Sequence, residues 1–317
     1  MGIFGMLTFS CLSVRSVSAQ QGPLVDHHQH LRDPIYKTPG DHGSVDASSL
    51  IQMLDASGTK FAVVLSTAYG PPPEPLETEY ERVVEENDWT ARQVRAHSDR
   101  LIGICGINPM KDYALTEIDR CSRLPELRTG IKMHFGNSDT DLDDPAKLAR
   151  LQKVMTAADS RHMAIVIHMR PSISHQRPYG PREAKIFLNE VLPIARHSVI
   201  QIAHLAGPGG FDLRSDEALQ VFIAAIQEHD PRMKHVYFDI SGVAGVGDWR
   251  EHKQIIAERV REIGTKRILW GSDGAFGGGM TPTQALAAFR ELPLTDEESL
   301  QILRNVAPYI HKSASRQ

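Results

Sequence analysis

The residues best suited to chemistry in this sequence are histidines and carboxylates that follow short apolar runs. Histidine is frequent, with 15 in 317 residues, and its neutral imidazole is the commonest metal ligand and a common proton carrier. The segment 26–30 reads Asp-His-His-Gln-His. Because side chains alternate along a strand, His28 and His30 would project to the same side, with Asp26 in step behind them. Such a pair of imidazoles can share one metal ion.

Three further groups of this kind each end an apolar run. His168 ends the run AIVIH, His204 ends VIQIAH, and Asp273 ends ILWGSD. Each has an ordinary explanation when taken singly, as a hydrogen-bonded core histidine or as a carboxylate that caps the next helix. Together with the histidines of the first strand, they would stand at the ends of four strands, and closure of those strands into a barrel would bring them to one pocket.

Eight apolar segments rich in Val and Ile alternate with helical patterns along the whole chain. The candidate strands are Leu24–His28, Phe61–Ser66, Leu101–Ile107, Gly130–His134, Met163–His168, Val199–His204, His235–Ile240 and Arg267–Ser272. Nearly continuous apolar strands are typical of a parallel sheet covered by helices on both faces. We predict a single-domain (β/α)8 TIM barrel. An open doubly wound sheet is the alternative, but the first strand-to-helix turn has no GxGxxG, so nothing supports dinucleotide binding.

Composition excludes several classes of protein. The net charge is −4, from 35 basic and 39 acidic residues, and no basic run indicates a nucleic-acid partner. No apolar stretch of about 18 residues predicts a membrane span. The three cysteines lack CxxC spacing, which excludes a cysteine-rich zinc site, and a chain of this length needs no disulfide framework for stability. We expect a small-molecule substrate as the partner, and the oligomeric state stays open, with a homo-oligomer as one alternative.

Residues 1–19 resemble a signal peptide that precedes a domain over residues 20–317. Ile3–Val14 is mostly apolar, and Val17-Ser18-Ala19 resembles a cleavage site before Gln20. Cleavage there would remove Cys11 and place the protein in the periplasm or outside the cell. Against this, the segment before the apolar run has no Lys or Arg; without a functional signal the protein would be cytoplasmic.

The complete set of motifs resembles the amidohydrolase superfamily, in the amidohydrolase-related branch that includes aminocarboxymuconate-semialdehyde decarboxylase-like enzymes. The motifs are DxHxH at 26–30, IHMRP around His168, AHLAG around His204 and WGSD ending at Asp273. The resemblance covers about residues 24–310, and the motifs are specific only as a set.

The resemblance implies that three imidazoles and one carboxylate hold one divalent metal ion. The implied ligands are His28, His30, His168 and Asp273. Zinc suits this donor set best, with manganese as an alternative. His204 would lie beside the metal-bound water as general base, or would polarise the substrate. Asp273 could also accept a proton, because a carboxylate on the metal keeps a second oxygen.

Four other side chains are candidates for binding substrate. Lys132 and His134 share parity near the end of the fourth strand, Arg170 follows His168 by two residues, and Tyr69 follows the second strand. Arg170 could clamp a substrate carboxylate. Some superfamily members carry a carboxylated lysine on strand four that bridges two metals, but we expect Lys132 to orient substrate or to pair with a carboxylate. Asp239 matches no motif, and its role stays open.

Three functions fit these residues. The first is a metal-dependent hydrolase, in which metal-bound hydroxide attacks an amide, ester or lactone carbonyl. The second is a metal-dependent, non-oxidative decarboxylase of a small aromatic or unsaturated carboxylic acid that uses the same ligands. The third is a metal-binding barrel without catalysis, against which the presence of a base at His204 argues.

Overall fold

The computed structural model describes residues 22–31, 45–70, 78–170, 179–274 and 280–310. The predicted signal peptide at residues 1–19 lies outside this part of the chain. Eight strands form one parallel sheet in sequence order. They are β1 (Val25–Gln29), β2 (Phe61–Leu65), β3 (Leu101–Gly106), β4 (Gly130–His134), β5 (Ala164–His168), β6 (Ile200–Ile202), β7 (Val236–Asp239) and β8 (Ile268–Leu269).

Backbone hydrogen bonds close the sheet into a barrel. His27 N–H donates to the carbonyl of Trp270 at 2.9 Å, and Asp273 N–H donates to the carbonyl of His28 at 2.9 Å. Both bonds join the segment after β8 to β1. The predicted single-domain (β/α)8 barrel is therefore confirmed. β8 is shorter than its predicted range because residues 270–273 bond to β1 and no longer follow the ladder with β7.

Helices follow the strands and cover the outside of the barrel. They are α1 (Ala47–Ser57), α2 (Glu79–Ala96), α3 (Ala114–Ser122), α4 (Pro145–Ser160), α5 (Pro181–Ile186), α6 (Leu213–Gln227), α7 (Lys253–Ile263), α8 (Pro282–Phe289) and α9 (Asp296–Arg304). A π-helical turn, Phe187–Val191, continues α5. No helix in the described ranges is long and apolar enough to cross a membrane.

Capping residues in the sequence fix where several helices begin. Thr281 and Gln284 form a capping box before α8, where Pro282 occupies the first turn. Thr295 and Glu298 do the same for α9. These side chains satisfy amide groups that a helix leaves unpaired at its start.

Alternation along the strands separates two apolar environments. Ile165 and Ile167 of β5 belong to a large cluster with helix residues, whereas Ala164 and Val166 belong to a smaller cluster inside the barrel. This is the alternation expected of a strand buried on both faces. Inward-facing residues near the strand ends therefore point into the barrel mouth.

One disulfide, between Cys105 of β3 and Cys121 of α3, joins the barrel to its outer layer. Both cysteines are fully buried. The sequence does not predict this disulfide, because sixteen residues of separation give no pairing signal and a core of this size is stable without one.

Candidate active site

The polar residues singled out by the sequence meet at the carboxyl ends of the strands. His28 lies on β1, Lys132 and His134 on β4, and His168 ends β5. Three others lie just beyond a strand end: His30 directly after β1, His204 two residues after β6 and Asp273 four residues after β8. This end of a (β/α)8 barrel is where active sites of the fold lie.

The side chains predicted as ligands lie close to one another. His28 Nε2 is 3.9 Å from Asp273 Oδ1, and His30 Nε2 is 3.6 Å from the same oxygen. The ring centroid of His204 lies 4.7 Å from that of His28 and 4.8 Å from that of His168. Ligand atoms of His28, His204 and Asp273 all fall within 4.8 Å of one another. His204, predicted as a base, is thus as close to the centre as the predicted ligands.

Hydrogen bonds at Nδ1 fix the tautomer of two of these histidines. His30 Nδ1 lies 2.7 Å from the carbonyl of Leu65, and His204 Nδ1 lies 2.8 Å from the carbonyl of Ser241. A carbonyl oxygen only accepts, so each Nδ1 carries the proton and each Nε2 keeps its lone pair. Burial lowers the pKa of both histidines, which keeps the rings neutral. Each ring therefore has its proton on Nδ1 and its lone pair on Nε2, the form in which an imidazole acts as a metal ligand or a base.

Asp239, at the end of β7, is the residue whose role the sequence left open. Its Oδ2 accepts from His28 Nδ1 at 3.0 Å and from Gln201 Nε2 at 2.8 Å, and its Oδ1 accepts from His204 N–H at 3.0 Å and from Ser241 N–H at 3.2 Å. Burial alone would raise the pKa of Asp239, but His28 and these hydrogen bonds lower it well below its usual range. An ionised Asp239 makes His28 Nδ1 the donor, which leaves the lone pair of the neutral ring on His28 Nε2.

The position of Asp239 in the sequence is enough to place it near the site. Asp239 ends a buried strand, as His168 does, and such a position predicts a side chain at the barrel mouth. Its partners His28 and His204 are distant in sequence, and no motif links them to strand seven.

A buried nitrogen supports the presence of a metal ion. His168 Nε2 is buried and has no hydrogen-bond partner among the described residues, and such an orphaned polar atom costs about 1–3 kcal/mol. Burial also raises the pKa of Asp273 well above its usual value, with Lys132 opposing the shift. A divalent cation would satisfy both groups, because neutral imidazole and carboxylate are its usual ligands. The donor set therefore fits a divalent metal.

Lys132 is a buried cation beside this centre. Its Nζ lies 3.4 Å from His28 Nε2, and the side chain is only 1% exposed. Burial lowers the pKa of Lys132 to about 8, although Asp239 and Asp273 oppose the shift. The ammonium group is thus close enough to act on a group bound at the metal centre.

His134 differs from the other histidines of the site. Its Nδ1 accepts from Asn137 N–H at 3.1 Å, so the proton of the neutral ring is on Nε2. The ring stacks on His168 at 3.8 Å between centroids, and Tyr69 stacks on His134 at 5.5 Å. His134 is therefore a hydrogen-bond donor.

Arg170 is partly buried two residues beyond β5.

The backbone is strained at His204 and at Asp273. His204, Leu205 and Ala206 have φ values of 56°, 50° and 65°, and Asp273 has 52°. A left-handed conformation costs roughly 1–2 kcal/mol per residue outside glycine, and such strain clusters at functional sites. Asp239 holds the first residue of this turn, and Tyr179 Oη donates to the carbonyl of the third at 2.6 Å.

Comparison with known proteins agrees with this geometry. A family model described as amidohydrolase matches residues 25–307, so the chain belongs to the amidohydrolase family and is an enzyme of that class. No curated protein matches the sequence significantly.

Solved structures with this fold include enzymes of two reaction types. 5-Carboxyvanillate decarboxylase from Sphingomonas paucimobilis is 16% identical, with a TM-score of 0.61 and coverage of 93% of this chain and 98% of the other. A probable 2-pyrone-4,6-dicarboxylic acid hydrolase from Acinetobacter baumannii has 16% identity, a TM-score of 0.60 and the same coverage. A manganese complex of 5-carboxyvanillate decarboxylase from Novosphingobium aromaticivorans has 15% identity, a TM-score of 0.60 and coverage of 95% and 98%. At these identities the likeness establishes the fold alone.

Asp239→Asn should weaken metal binding without unfolding the barrel. An amide cannot accept from both His28 and His204 as the carboxylate does, so His28 Nε2 would lose its fixed orientation. We expect the dissociation constant for zinc to rise roughly 10–100-fold, measured by competition with a chromophoric chelator. Asp159→Asn is the matched control, because Asp159 also accepts backbone and histidine hydrogen bonds but pairs with His197, outside this site. An affinity for zinc equal to that of the control would contradict the role of Asp239.

Proposed function

We propose that this protein is a divalent-metal-dependent hydrolase that acts on the amide, ester or lactone carbonyl of a small molecule. The observation that carries the proposal is that ligand atoms of His28, His204 and Asp273 lie within 4.8 Å of one another, and that His30 Nε2 lies 3.6 Å from Asp273 Oδ1. Neutral imidazoles and a carboxylate gathered in this way suit metal-assisted attack by water.

The metal site comprises His28, His30, His168 and Asp273. When bound there, a divalent ion lowers the pKa of a water molecule towards 7 and polarises a carbonyl. Zinc is our first assignment and manganese the second, because three imidazoles and one carboxylate suit either ion. The hydrogen bonds from His28 to Asp239 and from His30 to the Leu65 carbonyl orient these two ligands.

His204 serves as the general base of the proposed reaction. Its Nδ1 proton is committed to the Ser241 carbonyl, so Nε2 accepts the proton of the attacking water. The protonated Nε2 then gives that proton to the leaving group. Asp273 is the alternative acceptor of the water proton, through its second oxygen. A positioned base of this kind contributes about 10²–10⁴-fold to a rate.

Two cationic side chains would bind an anionic substrate. The buried Lys132 ammonium lies 3.4 Å from His28 Nε2, and the partly buried Arg170 follows β5. Lys132 and the Nε2–H of His134 would donate to the substrate, Tyr69 would line the pocket, and Arg170 would bind a carboxylate at the rim.

A non-oxidative decarboxylation at the same site is the second candidate. The observation that favours it is the buried Lys132 ammonium, 3.4 Å from His28 Nε2, which would pair with the carboxylate of a small aromatic or unsaturated acid. In that reaction Nε2 of His204 would take a proton from a water molecule in the site and pass it to the substrate carbon before carbon dioxide leaves.

Purified protein should contain about one zinc or manganese ion per chain. His28→Ala should lose the ion yet keep its circular dichroism spectrum, because the apolar strands build the core. Elemental analysis by mass spectrometry measures the content, with His197→Ala, an exposed histidine outside the site, as the control. No bound ion after reconstitution with zinc and with manganese would refute the metal site, and two ions per chain would point to a carboxylated Lys132.

Product analysis distinguishes the two reactions. Wild-type protein should hydrolyse members of a panel of lactones, esters and amides, and His204→Asn should lower kcat about 10²–10⁴-fold with the metal retained. Carbon dioxide release from a parallel panel of aromatic acids would replace the first candidate by the second. Loss of the metal in His204→Asn would make His204 a ligand, and His197→Asn controls for a general effect of losing an imidazole.

The buried Cys105–Cys121 disulfide supports export of the protein to the periplasm or beyond. Disulfides persist in oxidising compartments and are rare in the cytosol. This agrees with the predicted signal peptide over residues 1–19, which is followed by the domain at 20–317.

The mature protein from its native host should therefore begin at Gln20 and have no free thiol. Intact mass spectrometry of unreduced protein would show a chain that lacks residues 1–19 and two hydrogens of the cysteines. A chain that retains Met1 and titrates three thiols after denaturation would show that the protein is not exported.

A further inference from the structure

The chain segment after α9 closes the interior of the barrel at the end away from the candidate active site. Ala307 and Tyr309 belong to the interior cluster with Val25, Val166 and Leu269. Tyr309 is 3% exposed. Its hydroxyl therefore lies inside the barrel, where a polar atom must find a hydrogen-bond partner.

That partner is Gln201, an inward-facing residue of β6. Tyr309 Oη donates to Gln201 Oε1 at 2.7 Å, and Gln201 Nε2 donates to Asp239 Oδ2 at 2.8 Å and to the carbonyl of His27 at 3.2 Å. Burial raises the pKa of Tyr309, and the Asp239 charge adds to this, so the phenol stays protonated. A donor at one end and two acceptors at the other leave the amide a single orientation.

The chain of hydrogen bonds continues to the metal site. Asp239 Oδ2, which accepts from Gln201, also accepts from His28 Nδ1 at 3.0 Å. Tyr309, Gln201, Asp239 and His28 are all buried, so no bulk water competes for these bonds. Because the Tyr309 phenol donates to Gln201 Oε1, Gln201 presents Nε2 to Asp239. Asp239 in turn accepts from His28 Nδ1.

We propose that Tyr309 and Gln201 are positioning residues of the active site, which act through Asp239 to hold His28 in the orientation and tautomer that a metal requires. The inference rests on the metal site of the proposed function. The segment around Tyr309 therefore contributes to the active site, although this segment lies at the opposite end of the barrel.

Loss of the phenol hydroxyl would act through the amide of Gln201. Without its donor, Oε1 would be buried and unsatisfied, and the amide could rotate to present this oxygen to the Asp239 carboxylate. Asp239 would then move away from an oxygen of like charge, and His28 would lose its fixed acceptor. Other bonds would keep the segment in place, because Ala307 N–H donates to His27 Nε2 and Asn305 Nδ2 donates to the carbonyls of Thr265 and Ile268.

The test compares Tyr309→Phe with Tyr113→Phe in the full-length protein. The control removes a hydroxyl that donates to Glu79, at the start of α2 on the outside of the barrel. We expect Tyr309→Phe to raise the dissociation constant for zinc roughly threefold to tenfold, since outer groups tune metal affinity, and to lower kcat with little change in KM. An unchanged affinity, or an equal loss in Tyr113→Phe, would overturn the proposal.

Proton NMR of the metal-free protein gives an independent measurement. The Nδ1–H signal of His28, assigned by its absence in His28→Gln, should shift and exchange faster with water in Tyr309→Phe. This readout decides the inference even if the wild type binds no metal, which would contradict the proposed function alone. Unchanged shift and exchange would overturn the inference.

A second variant, Gln201→Leu, covers the case in which Tyr309→Phe does not fold. Gln201→Leu breaks the same chain of hydrogen bonds and leaves Tyr309 in place. This variant alone should weaken zinc binding and make the His28 Nδ1–H exchange faster with water, as expected for Tyr309→Phe. Where both variants fold, the double variant should lose little more than either single one, because the residues act in series. Fully additive losses would overturn the proposal.

Discussion

The candidate active site depends on one buried carboxylate, that of Asp239. Removing such a charge from water costs several kcal/mol unless hydrogen bonds compensate. The donors here come from β1, from β6 and the turn after it, and from the residue two beyond Asp239 itself. Because one anion must satisfy all of them, it fixes the relative positions of three strand ends. The orientation of His28 and the strained turn at His204 both follow from that requirement.

Inward-facing positions change from apolar to reactive along a single strand. On β5, Ala164 and Val166 pack inside the barrel and His168 stands at its mouth. On β4, Gly130 is followed by Lys132 and His134 at the same parity. The apolar residues that stabilise the barrel and the polar residues of the candidate site therefore lie at different levels along the barrel axis. The polar site lies above a core that does not depend on it. Gln201 connects the two levels, because its side chain bonds to Tyr309 in the core and to Asp239 at the site.

The fold could be predicted because its signals are local and repeated. Apolar runs, capping residues such as Thr281 and Thr295, and regular spacing each point to the same barrel. The site could be predicted as a set of strand ends, since closure brings them together. The bonding of Asp239 could not, because its partners lie 35 and 211 residues away and no spacing records them. The Cys105–Cys121 disulfide and the shortness of β8 likewise depend on contacts between segments distant in sequence.

The number of histidines does not determine what each can do, because the role of an imidazole depends on what its other nitrogen contacts. The Leu65 and Ser241 carbonyls accept from His30 and His204, and these two rings keep a lone pair on Nε2. His134 receives a backbone N–H instead, so its Nε2 is a donor. The sequence shows the same side chain at these three positions. Backbone groups from neighbouring segments determine which rings keep a lone pair on Nε2 and which ring carries a proton there. The asymmetry between the proposed metal side and the proposed substrate side of the site thus originates in the main chain.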